Sequence, residues 1–257
     1  MKFLNFLEKI KIRTSKAIRN IYFVEKTSRY AIKIFISLFF LANIIAFLFG
    51  NKNFIFFRNL ISQLGISKYT PLPIIFNSAC IITGILLIPF FFFLRYKGDE
   101  ILKNSLDYLK NGRFFRLFNH FGFYSGLIGS TGFVGLGLFN MSWNPLYMHD
   151  ISATLVLGGF IFLTFFISWL IIRYEIEIPA KLGIYGIVSS LFILISYLSL
   201  NVNVIFSFVY LEWLWMLIIL SWLWLFIRYV FKDSSKLFSR NFVINKKKLI
   251  KTSFEFK

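Results

Sequence analysis

Residues 122–153 read GFYSGLIGSTGFVGLGLFNMSWNPLYMHDISA. A glycine-rich apolar helix runs to a short, almost uncharged loop, 140–148, which hands over to His149 and Asp150 at the head of another apolar helix. Gly122, Ser125, Gly126 and Gly129 recur at a spacing that puts them on one helical face. In lipid such a face of small residues lets a second helix approach closely. A nucleotide-binding glycine loop needs a strand before it and a Lys-Ser/Thr pair after it, and this stretch has neither. The reading is a membrane hairpin.

Further apolar blocks flank that hairpin. Blocks of about 20 apolar residues are long enough to cross a hydrocarbon core of roughly 30 Å, and they fall near 30–49, 71–94, 117–139, 150–172, 182–200 and 206–230. Pro71 and Pro73 open the second block, Pro89 is expected to kink it, and Gly183, Gly186 and Ser190 give the fifth a small face of its own. Charged residues make up 16% of the 257, whereas soluble domains carry about a quarter. The fold expected is all-α: a polytopic membrane protein built as a bundle of six transmembrane helices over 30–231. A basic segment, 1–29, precedes it and a basic tail, 232–257, follows.

The formal net charge of +18 would suggest nucleic acid in a soluble protein. Here the Lys and Arg residues lie mainly in the two tails and in the loop after the second span, as in proteins facing an anionic cytoplasmic leaflet. No nucleic-acid partner is expected. In segment 1–29, Phe3, Leu7, Ile10, Ala17, Ile18 and Ile21 share one helical face, with Lys9, Lys11, Arg13 and Lys16 towards the other. That segment reads either as a helix among anionic headgroups or as a solvated basic tail. The loops after the third and fifth spans carry no Lys or Arg, and the first loop carries only Lys52, Arg58 and Lys68. Both termini are therefore expected in the cytoplasm, with the protein in the cell (plasma) membrane. Cys80, the single cysteine, excludes an intrachain disulfide and any multi-cysteine metal site. No cofactor motif is present.

Two loops carry helical patterns. Phe54, Phe57, Leu60, Ile61 and Leu64 suggest a short interfacial helix stopped by Gly65, and 99–112, DEILKNSLDYLKNG, suggests a surface helix.

The candidate chemical groups cluster by depth. Ser62, Gln63, Asn77, His149, Asp150 and Glu212 all fall in the outer half of this topology or its outer loops. Ionisable groups within a membrane are costly and face a bundle interior or a watery cavity. Glu212 lies inside the last span, on one stripe with Met216, Ile219 and Leu223. A carboxylate there can act as acid, base or cation ligand, or can bond a neighbouring helix. Asp150 reads as the N-cap of the fourth span, or as a ligand contact. His149 can shuttle protons or meet a headgroup, or sit solvated in its loop. Asn77 can orient a ligand or bond between helices. Ser62 can be a nucleophile or a turn cap. No spacing supports a metal site from His149, Asp150 and Glu212.

Three fragments together carry a resemblance: ISQLG followed by P-x-x-F-N (61–77), GLGLFN followed by a histidine at the next helix (135–149), and Glu212 early in the last span. The chain resembles the prokaryotic membrane family known as domain of unknown function 998. That family is similar to the eukaryotic Frag1/DRAM-like group, which includes factors for GPI-anchor lipid remodelling. The resemblance covers about residues 31–230 and implies six helices, an outward polar site and a link to lipids. Its pattern follows the glutamate with arginine, where this chain has Trp213.

The function expected is binding or modification of a lipid or lipid-linked substrate in an outward-facing polar pocket. Glu212 and His149 would be the catalytic or headgroup-contacting groups, with Asn77, Asp150, Ser62 and Gln63 binding substrate. Membrane lipids are the expected partners, anionic ones at the cytoplasmic face. A small-solute or proton-coupled transporter using Glu212 is one alternative. A non-catalytic scaffold, whose glycine faces pack a membrane partner or a second copy, is the other.

Overall fold

A computed structural model describes residues 20–50, 54–104, 112–174, 176, 178–199 and 208–232. Among the described residues six α-helices succeed one another: α1 (Ile21–Phe49), α2 (Ile74–Asn104), α3 (Gly112–Leu138), α4 (Met148–Arg173), α5 (Ala180–Ser199) and α6 (Phe208–Lys232). All six are long and apolar enough to cross a membrane, and no strand occurs among the described residues. The chain is an all-helical, multi-pass membrane bundle.

The helices overrun the apolar blocks at the basic end. α1 starts at Ile21 rather than at Tyr30, because Asn20 Oδ1 accepts the Phe23 N–H and caps it. The added turns pack inward through Val24 and Ser28, and Glu25 pairs with Arg29 at 2.9 Å. The remainder of the amphipathic reading, 1–19, lies outside the described residues. α2 runs through Pro89 to Asn104, so 99–104 continues a transmembrane helix and does not begin a separate one. The rest of that expected surface helix, 105–111, is outside the described residues.

Antiparallel succession is visible in the contacts at each end. Asn119 on α3 donates to the Arg95 carbonyl of α2, and Phe93 of α2 stacks on Phe231 of α6. Phe115 of α3 meets Tyr174, just past α4. The basic ends of α2, α3, α4 and α6 thus gather together.

The small face of α3 organises the middle of the bundle. Gly126 lies against the Phe91 ring of α2, and Gly122 against Ile167 of α4. At Gly159 of α4 an added Cβ would stand 2.6 Å from Gly129 Cα and 2.8 Å from the Ser125 carbonyl. One turn along, a Cβ on Gly132 would stand 2.7 Å from Val156 N. The backbones of α3 and α4 therefore touch, the close approach that small residues permit in lipid. α5 and α6 are joined differently, by polar bonds: Trp215 Nε1 donates to Ser196 Oγ at 2.9 Å, Tyr185 and Ser221 hydroxyls lie 2.7 Å apart, and Trp222 Nε1 donates to the Leu182 carbonyl at 3.3 Å.

Candidate functional site

Of the short helix ending at Gly65 that the apolar spacing suggests between α1 and α2, the structure forms only the last part. The chain turns at 56–58, with Phe57 at φ 61°, and then makes a 3-10 helix, Ile61–Gly65. Polar side chains divert the backbone: Asn59 Oδ1 accepts the Ile55 N–H, Asn59 Nδ2 donates to Gln63 Oε1, and that oxygen also accepts the Leu60 N–H. Such local bonds compete with helical ones. The apolar residues consequently split, with Phe54, Ile61 and Leu64 buried and Phe57 exposed. Gly65 does end the 3-10 helix, and it packs so closely on Asn77 that a Cβ would strike the amide oxygen.

Neighbouring residues of α6 hold this loop in place. Glu212 Oε2 accepts the Ile61 N–H at 3.0 Å, and the carboxylate also faces the N–H and hydroxyl of Ser62. Trp213 Nε1 donates to the Asn59 carbonyl at 2.8 Å. Glu212 thus satisfies an orphan donor at the start of the 3-10 helix.

The α3–α4 loop closes the same end. Asn144 Oδ1 accepts the His149 N–H at 2.7 Å, and its Nδ2 donates to Asp150 Oδ2 at 2.8 Å. Asp150 is therefore not the N-cap of α4. It lies in the first turn, while Tyr147 occupies the cap position with φ 58° and no side-chain cap bond. Leu146, at φ 50°, is left-handed as well. The Asn144 side chain, bonding past both residues, stabilises a turn that L-residues otherwise resist. Trp143, Leu146 and Tyr147 are 59%, 80% and 75% exposed at the tip of this hairpin.

His149 points inward and is 6% exposed. Its Nδ1 lies 2.8 Å from the Phe139 carbonyl. A carbonyl only accepts, so Nδ1 carries a proton, and in the neutral tautomer this leaves the lone pair on Nε2. That nitrogen has no hydrogen-bond partner among the described residues.

Between these loops and the helices lies a cavity of about 510 Å³. Most of its wall is apolar, drawn from all six helices; Glu212, His149, Asp150 and Ser62 supply polar groups at one end. Gly158 belongs to the wall, and a Cβ added there would meet nothing within 4 Å. Several wall residues are themselves exposed: Asp150, Thr154 and Phe162 along α4, Tyr197 on α5 and Phe208 on α6. The cavity is therefore not closed off from its surroundings.

Four of the six residues singled out from the sequence line this one cavity. Two do not. Asn77 sits outside it, its Nδ2 donating to the Gly65 carbonyl at 3.1 Å while its buried Oδ1 lacks a partner. Gln63 is occupied within its own loop. Both shape the loop and neither faces the space. On the Glu212 stripe, Met216 and Ile219 line the cavity, whereas Leu223 is buried elsewhere in the core. Sequence reasoning missed Phe208, Trp215 and Tyr197, although Phe208, Glu212 and Trp215 have the i, i+4, i+7 spacing of one face. Among the described residues, no three His, Cys, Asp or Glu side chains gather as a metal site requires.

Compared with known protein families, with curated proteins and with solved structures, the chain matches none of them.

Proposed function

We propose that this protein sits in the plasma membrane with both termini in the cytoplasm, and that its cavity takes a membrane lipid or lipid-linked substrate from the outer leaflet. The resemblance to the domain of unknown function 998 family and the Frag1/DRAM-like group belongs to the same proposal. The observation that carries it is the row of exposed cavity-wall residues along α4. From Asp150 to Phe162 the exposed wall residues of α4 span about 18 Å at the helical rise of ~1.5 Å per residue. That is close to the depth of one leaflet, half of a hydrocarbon core of roughly 30 Å. An apolar slot of that length with polar groups at its interfacial end matches an acyl chain below a headgroup. Glu212, His149, Asp150 and Ser62 then contact the headgroup, and the basic tails contact anionic lipids on the other side of the membrane.

Lipid retained by the purified protein tests this reading. Native mass spectrometry in mild detergent should find lipid bound to the wild type. Gly158→Trp, which fills the cavity, should remove it without loss of fold. Lipid-free wild-type protein, together with proton-coupled flux in vesicles that Glu212→Gln abolishes, would favour a transporter instead. The orientation has its own check in a Cys80→Ala background. Ser142→Cys, in the exposed α3–α4 loop, should react with an impermeant thiol reagent on intact cells, and Ser253→Cys should not. The reverse pattern would invert the protein.

A further inference from the structure

Resting on the lipid reading, we infer that the polar end of the cavity selects a headgroup bearing a primary ammonium. The lining explains the preference. Two carboxylates, Glu212 and Asp150, face the space, and no Lys or Arg side chain lines it among the described residues. An anionic headgroup would meet acidic side chains with no cationic side chain among the described residues to offset them. His149 adds an independent indication: its ring is buried, lines the cavity, and presents Nε2 as an acceptor without a partner. Open to the cavity, that nitrogen in the neutral tautomer takes a hydrogen bond from a ligand donor. A primary ammonium supplies three N–H donors on one cation, whereas a quaternary ammonium supplies none.

Aromatic rings complete the site. Trp215 lies 6.1 Å from the Phe208 ring and 6.0 Å from the Tyr197 ring, centroid to centroid, and all three line the cavity. The Trp215 indole is held by its bond to Ser196. Phe208 and Trp215 stand one turn either side of Glu212 on the same helical face. Rings beside a carboxylate attract a cation through their negative faces. The carboxylates and the imidazole then choose among cations by hydrogen bonding.

The experiment uses the full chain in nanodiscs containing equal amounts of phosphatidylethanolamine, phosphatidylcholine and phosphatidylglycerol, with bound lipid read by native mass spectrometry. Phosphatidylethanolamine should be enriched over each of the others by about tenfold or more, the worth of one charge-assisted hydrogen bond in a binding constant. Asp150→Asn keeps an acceptor for Asn144 and should reduce that preference while lipid remains bound; Glu212→Gln should do the same. Thr154→Lys, which adds a cation at the exposed rim, should shift the preference towards phosphatidylglycerol. Lipid bound without headgroup preference, or with phosphatidylcholine equal to phosphatidylethanolamine, overturns the ammonium site and leaves the lipid reading standing. No lipid of any class in the wild type overturns both. Water-soluble glycerophosphoethanolamine serves as the chain-free arm and should compete poorly. Binding as tight as that of the whole lipid would keep the ammonium site and overturn the lipid reading.

Discussion

Leucine at Gly159 should abolish the folded protein, while alanine at the adjacent Gly158 should leave its melting temperature unchanged or raised. The two glycines differ only in what their missing side chains face. At Gly159 a Cβ meets backbone atoms of Gly129 and Ser125, and at Gly158 it meets open space. Overpacking a core costs about 1–3 kcal/mol where side chains can rearrange. Here the obstructing atoms are main chain, so relief requires α3 and α4 to separate and the whole glycine interface to open. Gly159→Ala should already destabilise the protein, and Gly159→Leu should leave little monodisperse material. Gly158→Ala instead gains helix propensity of up to about 1 kcal/mol. Thermal unfolding in detergent, followed by helical circular dichroism, gives the comparison. A Gly159→Leu protein melting with the wild type would refute the backbone contact.

Removing the Glu212 carboxylate should release the loop between α1 and α2. In Glu212→Ala the Ile61 N–H loses its acceptor, and the start of the 3-10 helix loses its hold on α6. A hydrogen bond to a charged group contributes about 1.5–3 kcal/mol, so amide exchange at Ile61 and Ser62 should quicken by roughly tenfold or more. Glu212→Gln retains a carbonyl acceptor and should fall between alanine and wild type. Trp213→Phe removes the bond to Asn59 while keeping an aromatic ring, and should loosen the loop on its other side. Exchange at Ile61 that is identical in wild type and Glu212→Ala would show that the loop is held by apolar burial alone. This docking role is compatible with the proposed ligand role, since Glu212 bonds the loop and also lines the cavity.

The six helices could be read from the sequence because each apolar block is long enough to have one physical use. The α3 glycine face could be read for a similar reason: four small residues at helical spacing have few explanations other than close packing. The loop from Phe54 to Gly65 was misread ahead of Ile61 because its apolar spacing is genuine but Asn59 and Gln63 spend their amides on the local backbone. Asp150 looked like a cap because cap chemistry is common at helix starts. The service comes from Asn144, and no local pattern separates the two without knowing the path of the turn. Asn77 shares the depth of the cavity yet faces away from it, since depth fixes height along a helix and not direction around it. The polar end of the cavity was expected from membrane depth, but its apolar extent was not legible. Gly158 belongs to that wall and meets nothing there, and a void leaves no residue pattern.

Trp143, Leu146 and Tyr147 project from the α3–α4 hairpin largely exposed, with Trp143 stacked on Phe139. An indole, an aliphatic chain and a phenol in that position partition into the interfacial zone of a bilayer. The hairpin thus behaves as a float, and covalent geometry fixes its waterline. Only Met148 separates Tyr147 from His149, so His149 and Asp150 ride at headgroup height, with the apolar slot hanging below them. On the proposed lipid reading, a headgroup in that leaflet is level with these side chains, and entry needs diffusion in the membrane plane without lifting a chain into water.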